Sequence, residues 1–484
     1  IHNSVLIVVG FLSFFYFSNV FNKKNKKKFL YFLIVFSLLL FASFIFKMHD
    51  DFPYYHFKYS YILTQNNIIF GLGHLNLGFR TPSSIFFLNS IFYLPIVKFY
   101  MFSMPAILIM GFTNLIIFEK INNNLENNQV SYITFFSILS LLFINIFFYR
   151  IGEHGTDKSA QILIFLLIIE ILIFLDTKTL KENTLSKIYL LIGLVVSLKA
   201  FYVLYLILFF LLFFKVLSQK EISKSILFLI KNSFFLPVFY FFVLIIGTYF
   251  ITTGCLIYPV SFTCFENFSW SLSKFEVLRL NEHYEAWSKA GRTPNYKVDN
   301  ISEYISYFNW VNLWIKEYFF NKVSDFLLGL IFLLLVTFFI FFSSKKKNLE
   351  KKKSNFIIPI LLLLLFEWFY NHPALRYGGY CLIAGIIFLL ISKRLELFDN
   401  NLEKIKKKFQ ILILITILIF LSRNLNRIFY EIEFYSYKPL TGTYYMFDNN
   451  YFDIPERLKN KIDIYNTCQK TNNVCSFKDN IEIK

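Results

Sequence analysis

Charge is scarce in this chain. Asp, Glu, Lys and Arg make up 17% of its 484 residues, too few to keep a chain of this size disordered and solvated. Cysteine is rarer still, at five residues. No CxxC pair and no HExxH run appears, so neither a structural zinc site nor a helix-borne zinc centre is signalled. No internal repeat is found, which counts against transporters built from duplicated halves.

What is abundant is apolar surface. Hydrophobic residues make up 56% of the chain, with 66 Phe and 31 Tyr, and the mean hydropathy is +0.53. One soluble core cannot bury that much, so the composition predicts a polytopic membrane protein. The excess of Phe, Tyr, Ile, Asn and Lys also matches the coding bias of an A/T-rich genome, so single aromatics carry little information. The formal net charge of +18 does not point to nucleic acid. Its lysines cluster in short gaps between apolar runs, where they set topology.

Apolar segments of about 17–25 residues when intact cross the hydrocarbon core as helices. They fall at 4–20, 29–46, 99–118, 132–149, 160–175, 188–214, 233–250, 325–342, 356–370, 377–391 and 410–421. The 188–214 run is too long for one simple span and is interrupted by "SLKAFY" around Lys199, so it reads as a broken pair that dips in and returns. The expectation is an all-α integral membrane protein of about twelve passages, with interfacial helices in the first large outer loop. Residues 1–422 form the membrane domain, and 423–484 a small outer tail.

The lysine runs at 23–28, 178–187, 345–353 and 393–408 then share the cytoplasmic side, as the positive-inside rule requires. Both termini and the loops 48–98, 150–159, 251–324 and 371–376 lie outside. Cys255 and Cys264 fall in the long outer loop, Cys468 and Cys475 in the tail, and Cys381 alone inside an apolar helix. That distribution suits an oxidising periplasm, with disulfides expected within each close pair. All seven His are outside too, and the inner loops have none. The outer helix ends collect His, Asp, Glu, Arg, Trp and Tyr, the side chains a site at the membrane surface needs.

One outer stretch, "MHDDFPYYH", sets Asp50 and Asp51 where the second span leaves the membrane, ahead of a helix of mixed aromatic and aliphatic residues. An acidic pair, a tyrosine a few residues on (Tyr54) and an interfacial helix in this order resemble the GT-C class of membrane glycosyltransferases, which includes protein O-mannosyltransferases and aminoarabinose transferases. The resemblance extends through "RIGEHGTDKSA", with Glu153, His154 and Asp157, the broken run around Lys199, and "NHPALRYGGY", with His372 and Arg376. It departs in one respect: the acidic pair follows two spans here, where that class usually has one.

The resemblance implies a bacterial inner-membrane enzyme that moves a sugar from a polyprenyl-phosphate carrier to a lipid, glycan or protein hydroxyl at the periplasmic face, with inversion. Asp50 is then the expected general base and Asp51 its alternate or positioning partner. Arg376, Lys199, His372 and Arg80 are expected at the phosphate, and Tyr54, Glu153, His154 and Asp157 at the substrate. A divalent cation between paired carboxylates stays open, with no other cofactor expected. Ordinary roles are open to the same residues: helix caps for the acidic pair, snorkelling for Lys199, and ion pairs of Glu153 and Asp157 with Arg150 and Lys158.

Two other classes compete. An O-antigen polymerase or ligase would lean on arginines in large outer loops, and the long loop has only Arg279 and Arg292. A transporter or lipid flippase would place ionisable or broken positions near mid-membrane. The outer segment at 270–297, rich in Trp, Tyr and charge, has the side chains that sugar or acceptor contact would use. The topology is checked by accessibility: a cysteine introduced at Ser343 is expected to react only from the cytoplasmic side and one at Asn480 from outside, and the reverse pattern would overturn the assignment.

Overall fold

The computed structural model describes residues 23–94, 99, 101–153, 156–293, 296–343, 356–398 and 401–436, with isolated positions near both ends. His154, Cys468, Cys475, the lysine run at 345–353 and most of the first expected span lie outside the described residues.

Helix forms along the apolar runs, and several breaks fall where the sequence supplies partners for the freed backbone groups. α1 (Lys23–Leu39) leads by a short 3-10 turn to Asp51, which opens a π-turn, Phe52–His56, that continues as α2 (Phe57–Gln65). α3 (Ser84–Ile91) closes this first loop. α4 (Met104–Glu126) begins on Pro105, whose missing N–H costs nothing in a first turn. α5 (Tyr132–Phe147) begins on a capping box of Ser131 and Thr134. α6 (Thr156–Asp176) and α7 (Glu182–Leu198) follow as a packed hairpin.

At Lys199 the backbone turns extended, with φ −158° and ψ 127°. The Ser83 hydroxyl takes the freed Leu198 carbonyl at 2.5 Å. The chain resumes as a 3-10 segment, Ala200–Leu208, and α8 (Phe209–Leu217). Its far end returns beside the far end of α6, where Lys215 Nζ donates to the Leu175 carbonyl at 2.9 Å. The sequence break around Lys199 is therefore a physical reversal.

α9 (Ile222–Ile230) and α10 (Phe235–Thr253) come next, and α10 is terminated by Gly254 at φ +78°. The long loop that follows carries α11 (Lys274–Ser288), a two-residue hairpin of β1 (Arg292–Thr293) with β2 (Tyr296–Lys297), α12 (Ile301–Ile305) and α13 (Val311–Trp314). A π-helical stretch, Ile315–Val323, feeds α14 (Ser324–Phe341), and α15 (Ile357–Asn371), α16 (Gly379–Glu396) and α17 (Leu402–Tyr435) complete the fold. α17 runs through the boundary expected at 422, because its polar residues past that point are bonded to the ends of α1 and α5 and keep it helical.

Apart from the hairpin and an isolated bridge between Cys255 and Cys264, the regular structure of the described residues is helical. Among the described residues six helices are long and apolar enough to cross a membrane: Met104–Glu126, Thr156–Asp176, Ala200–Leu217, Phe235–Thr253, Val311–Phe341 and Leu402–Tyr435. This is a multi-pass membrane protein. α6 sits at the centre, buried on every face along nearly its whole length, with α5 beside it. Phe239, Tyr240, Leu244, Leu328, Phe332, Phe339 and Leu414 stay exposed on the outer helices α10, α14 and α17, a belt suited to lipid and costly in water. The lysine runs at 178–187 and 393–408 cap helix ends on the face opposite Asp51 and Lys199. Within the bundle Lys120 on α4 pairs with Glu170 on α6 at 2.8 Å.

Cys255 and Cys264 form a disulfide just beyond α10, and Cys381 is a buried free thiol in α16. Alkylation without reductant is expected to leave Cys255 and Cys264 unlabelled in denatured protein while Cys381 reacts. Labelling of all three would contradict the pairing.

Candidate functional site

The site begins where three antiparallel elements end together. Asp157 lies in the first turn of α6, where the positive end of the helix dipole favours a carboxylate, and Lys199 caps the C-terminus of α7, where the negative end favours a cation. The two side chains form an ion pair. Backbone dipoles and side-chain charges thus point the same way. The Lys199 ammonium also lies over the Tyr377 ring, 4.4 Å from its centre.

The second pair joins residues 325 positions apart in the chain. Arg376 Nη1 donates to Asp51 Oδ2 at 3.2 Å, and its Nη2 to the Tyr377 hydroxyl at 3.0 Å. The guanidinium stacks on Trp287, 4.2 Å from the ring centre. Burial works against its charge, and Tyr377, Asp157 and Asp51 outweigh that, so Arg376 is held firmly protonated. Asp51 also faces His49 Nδ1 at 3.7 Å. An ion pair as solvated as Asp51–Arg376 contributes on the order of 1 kcal/mol or less. Its role is orientation rather than stability.

Tyr55 stands one helical turn after Asp51 and faces Asp51, Asp157, Arg376 and Tyr377. Burial chiefly, with the two carboxylates, lifts its phenol well above the ordinary range, so it is a hydrogen-bond donor at any physiological pH. Its ring lies on Gly78, where a Cβ has no room. His372 closes the cluster: its ring packs edge-on to Phe201 and Tyr377, and its Nδ1 meets Ser288 Oγ at 3.2 Å.

The turn that carries Arg376 is held from all sides. Trp314 Nε1 donates to the Pro373 carbonyl and Trp368 Nε1 to that of Ala374, both at 3.0 Å. The Tyr318 hydroxyl accepts from Leu375 N at 2.9 Å, and Gln161 Nε2 donates to the Arg376 carbonyl at 3.0 Å. Gly378 then takes φ +111°, a left-handed conformation that glycine adopts without penalty, with a Cβ position only 3.2 Å from Tyr202. Gln161 is one turn along α6 from Asp157, so one helix positions both halves of the site.

The expected residues divide. Asp51, Asp157, Lys199, His372 and Arg376 come together. Asp50 is exposed and its side chain forms no ion pair among the described residues, so of the adjacent pair it is Asp51 that enters the cluster. Tyr54 is 43% exposed, and Tyr55 takes the place expected for it. Arg80 is buried away from the cluster, donating to the Gly73 carbonyl and to Glu276, each at 2.8 Å, and it ties the first loop to α11. Glu153 pairs with Arg150 and approaches Arg427 at 4.0 Å, in a network that fastens the end of α17 to α1. Trp287 falls in the 270–297 segment expected to meet sugar or acceptor, whereas Tyr55, Gln161 and Tyr377 were not singled out; i+4 spacing from Asp51 and Asp157 points to Tyr55 and Gln161.

Among the described residues no group of three or more His, Cys, Asp or Glu is placed to hold a metal ion. Asp51 and Asp157, the carboxylates of the cluster, already face Arg376 and Lys199, a donor set that does not suit a divalent cation.

Residues 2–383 match a family described as a domain of unknown function, DUF8201. The chain belongs to the DUF8201 family. No curated protein and no solved structure matches it. Within this DUF8201 chain the matched region includes every residue of the cluster.

Burial chiefly, then Lys289 and Lys199, pushes the His372 imidazole down to about 4. Its folded value is below its ordinary one, about 6.5, so the stability it contributes is fully present above that value and is lost as pH falls towards about 4. Thermal unfolding in detergent is expected to show a falling Tm over that interval. His372→Gln should flatten that decline, and an unchanged slope would assign it to another group.

Proposed function

We propose that this protein is a membrane glycosyltransferase that takes a sugar from a polyprenyl-phosphate carrier and passes it to an acceptor hydroxyl at the outer face of a bacterial inner membrane. The observation that carries the reading is the cluster itself: two carboxylates and two cations, from four separate segments, gathered around Tyr377 at one end of the helices. That is the equipment for a reaction in which an anionic group leaves and a proton is taken up. The resemblance of "MHDDFPYYH" and "NHPALRYGGY" to GT-C motifs supports it further.

The pairs define a sequence of events. In the free protein Arg376 occupies Asp51, and Lys199 occupies Asp157. A lipid-linked phosphate entering between the cations draws both towards itself, and Asp51 is released as a base. The acceptor oxygen attacks the anomeric carbon, the bond from that carbon to the phosphate oxygen breaks, and the electron pair leaves with the lipid phosphate. The acceptor's proton passes to Asp51. A single displacement inverts the anomeric centre. Tyr55 and Tyr377 donate hydrogen bonds to the phosphate or sugar oxygens, and Trp287 offers a face for stacking.

Transfer of labelled sugar from a polyprenyl-phosphate donor in reconstituted vesicles tests this. Asp51→Asn is expected to lower turnover by about 10²–10⁴-fold with thermal stability retained, and Asp50→Asn to have a much smaller effect. Lys199→Ala and Arg376→Ala should weaken donor binding as well as turnover, because the phosphate is anionic before and during reaction. Full activity in the Asp51→Asn variant would remove Asp51 as the base, and absence of transfer by the unmodified chain from any such donor would remove the reading.

A further inference from the structure

The first turn of α11 is engaged by Arg80 and its last turn by Arg376 and His372, but Arg279 and His283 between them belong neither to the cluster nor to its supports. Arg279, His283 and Trp287 recur at four-residue intervals and so share one face of α11. The first to the last spans about 12 Å at the helical rise. Trp287, 37% exposed, is the inner end of this row and is the residue on which Arg376 stacks. The row therefore runs from the outer surface straight to the guanidinium of the site.

The small hairpin adds two more cations beside it. Arg292 and Lys297 are directly opposed across β1 and β2, and β1 packs on α11. Like charges opposed across a strand pair destabilise it, so this arrangement is unfavourable unless something anionic joins them. Arg292, Lys297 and Arg279 all act on His283, where burial first and then these three cations push the imidazole below its ordinary value. None of the four forms an ion pair among the described residues. Of the acids on the same helix, Glu276 pairs with Arg80 and Glu285 with Lys289, while Glu282, three positions from Arg279, forms no ion pair among the described residues.

We propose that this face of α11 and the hairpin form the acceptor subsite, and that the acceptor is an anionic oligosaccharide bearing carboxylate or phosphate groups. The inference rests on the transferase reading for the word acceptor. The cations hold the acid groups of the chain, Trp287 stacks on the sugar nearest the site, and its free hydroxyl is delivered towards Asp51. Recognition of this kind is charge-assisted and weakens with salt.

Binding to the intact protein in zwitterionic nanodiscs, with no donor present, tests the subsite apart from turnover. The probes are an oligogalacturonate and a neutral malto-oligosaccharide of equal length. The expected result is binding of the anionic probe about ten-fold or more tighter at low salt, lost as salt is raised. Arg279→Gln with Lys297→Gln, both at exposed positions, should bring the two probes level with thermal stability unchanged, whereas Trp287→Ala should weaken both probes alike. Equal affinity of the two probes for the unmodified protein, or a double variant that still prefers the anion, would overturn the proposal. So would loss of the preference in nanodiscs containing phosphatidylglycerol, which would assign the cations to lipid headgroups. Anion-selective binding by a protein that transfers no sugar would leave this subsite standing as a glycan site and sink only the transferase reading.

Discussion

A charge taken out of water has to be met by another charge or by a set of dipoles, and at the edge of a helical membrane bundle few places offer either. This protein makes such a place by ending α6, α7 and the turn at 372–378 side by side. The N-terminus of one helix welcomes Asp157, the C-terminus of its neighbour welcomes Lys199, and the two side chains then meet. Arg376 and Asp51 repeat the arrangement with parts brought from further apart. The reversal at Lys199, the left-handed Gly378 and the indole and amide side chains around residues 373–376 all serve to keep those four charges within reach of one another.

A second polar network supports the first from behind. Arg427 donates to the carbonyls of Phe41 and Phe44, and Glu431 accepts from Phe46 N at 2.8 Å. α17 therefore fixes where α1 ends, and with it where Asp51 starts the next turn. Glu153 and Arg150 belong to this support. The difference between the two networks is chemical: the supporting one is largely spent on backbone groups, while the cluster at Tyr377 matches charge to charge and can exchange a carboxylate for a phosphate.

Much of this was legible in the sequence where the signal is local. The apolar runs gave helices, the interruption at "SLKAFY" gave the reversal, and the nine-residue spacing of Cys255 and Cys264 gave their disulfide. The gathering of Asp51, Asp157, Lys199, His372 and Arg376 followed from placing their segments on one face. What could not be read was partnership over long distances. Arg80 finds its carboxylate 196 residues away, and no spacing rule connects the two. Of Asp50 and Asp51 only one can face inward once a helical turn begins between them and Tyr55, and the choice depends on the direction in which the π-turn starts, which the residue types do not encode.

The turn at 372–378 has a mechanical side as well. Its backbone is fastened by Gln161 on α6, Trp314 on α13, Tyr318 on the π-helical stretch and Trp368 on α15. With so many attachments it has no slack of its own. Helices that tilt to match a thicker or thinner bilayer shift these attachment points by different amounts, and the sum of those shifts reaches a single guanidinium. The position of Arg376 is thus the joint result of several helices, and no one of them can tilt without drawing on the same guanidinium.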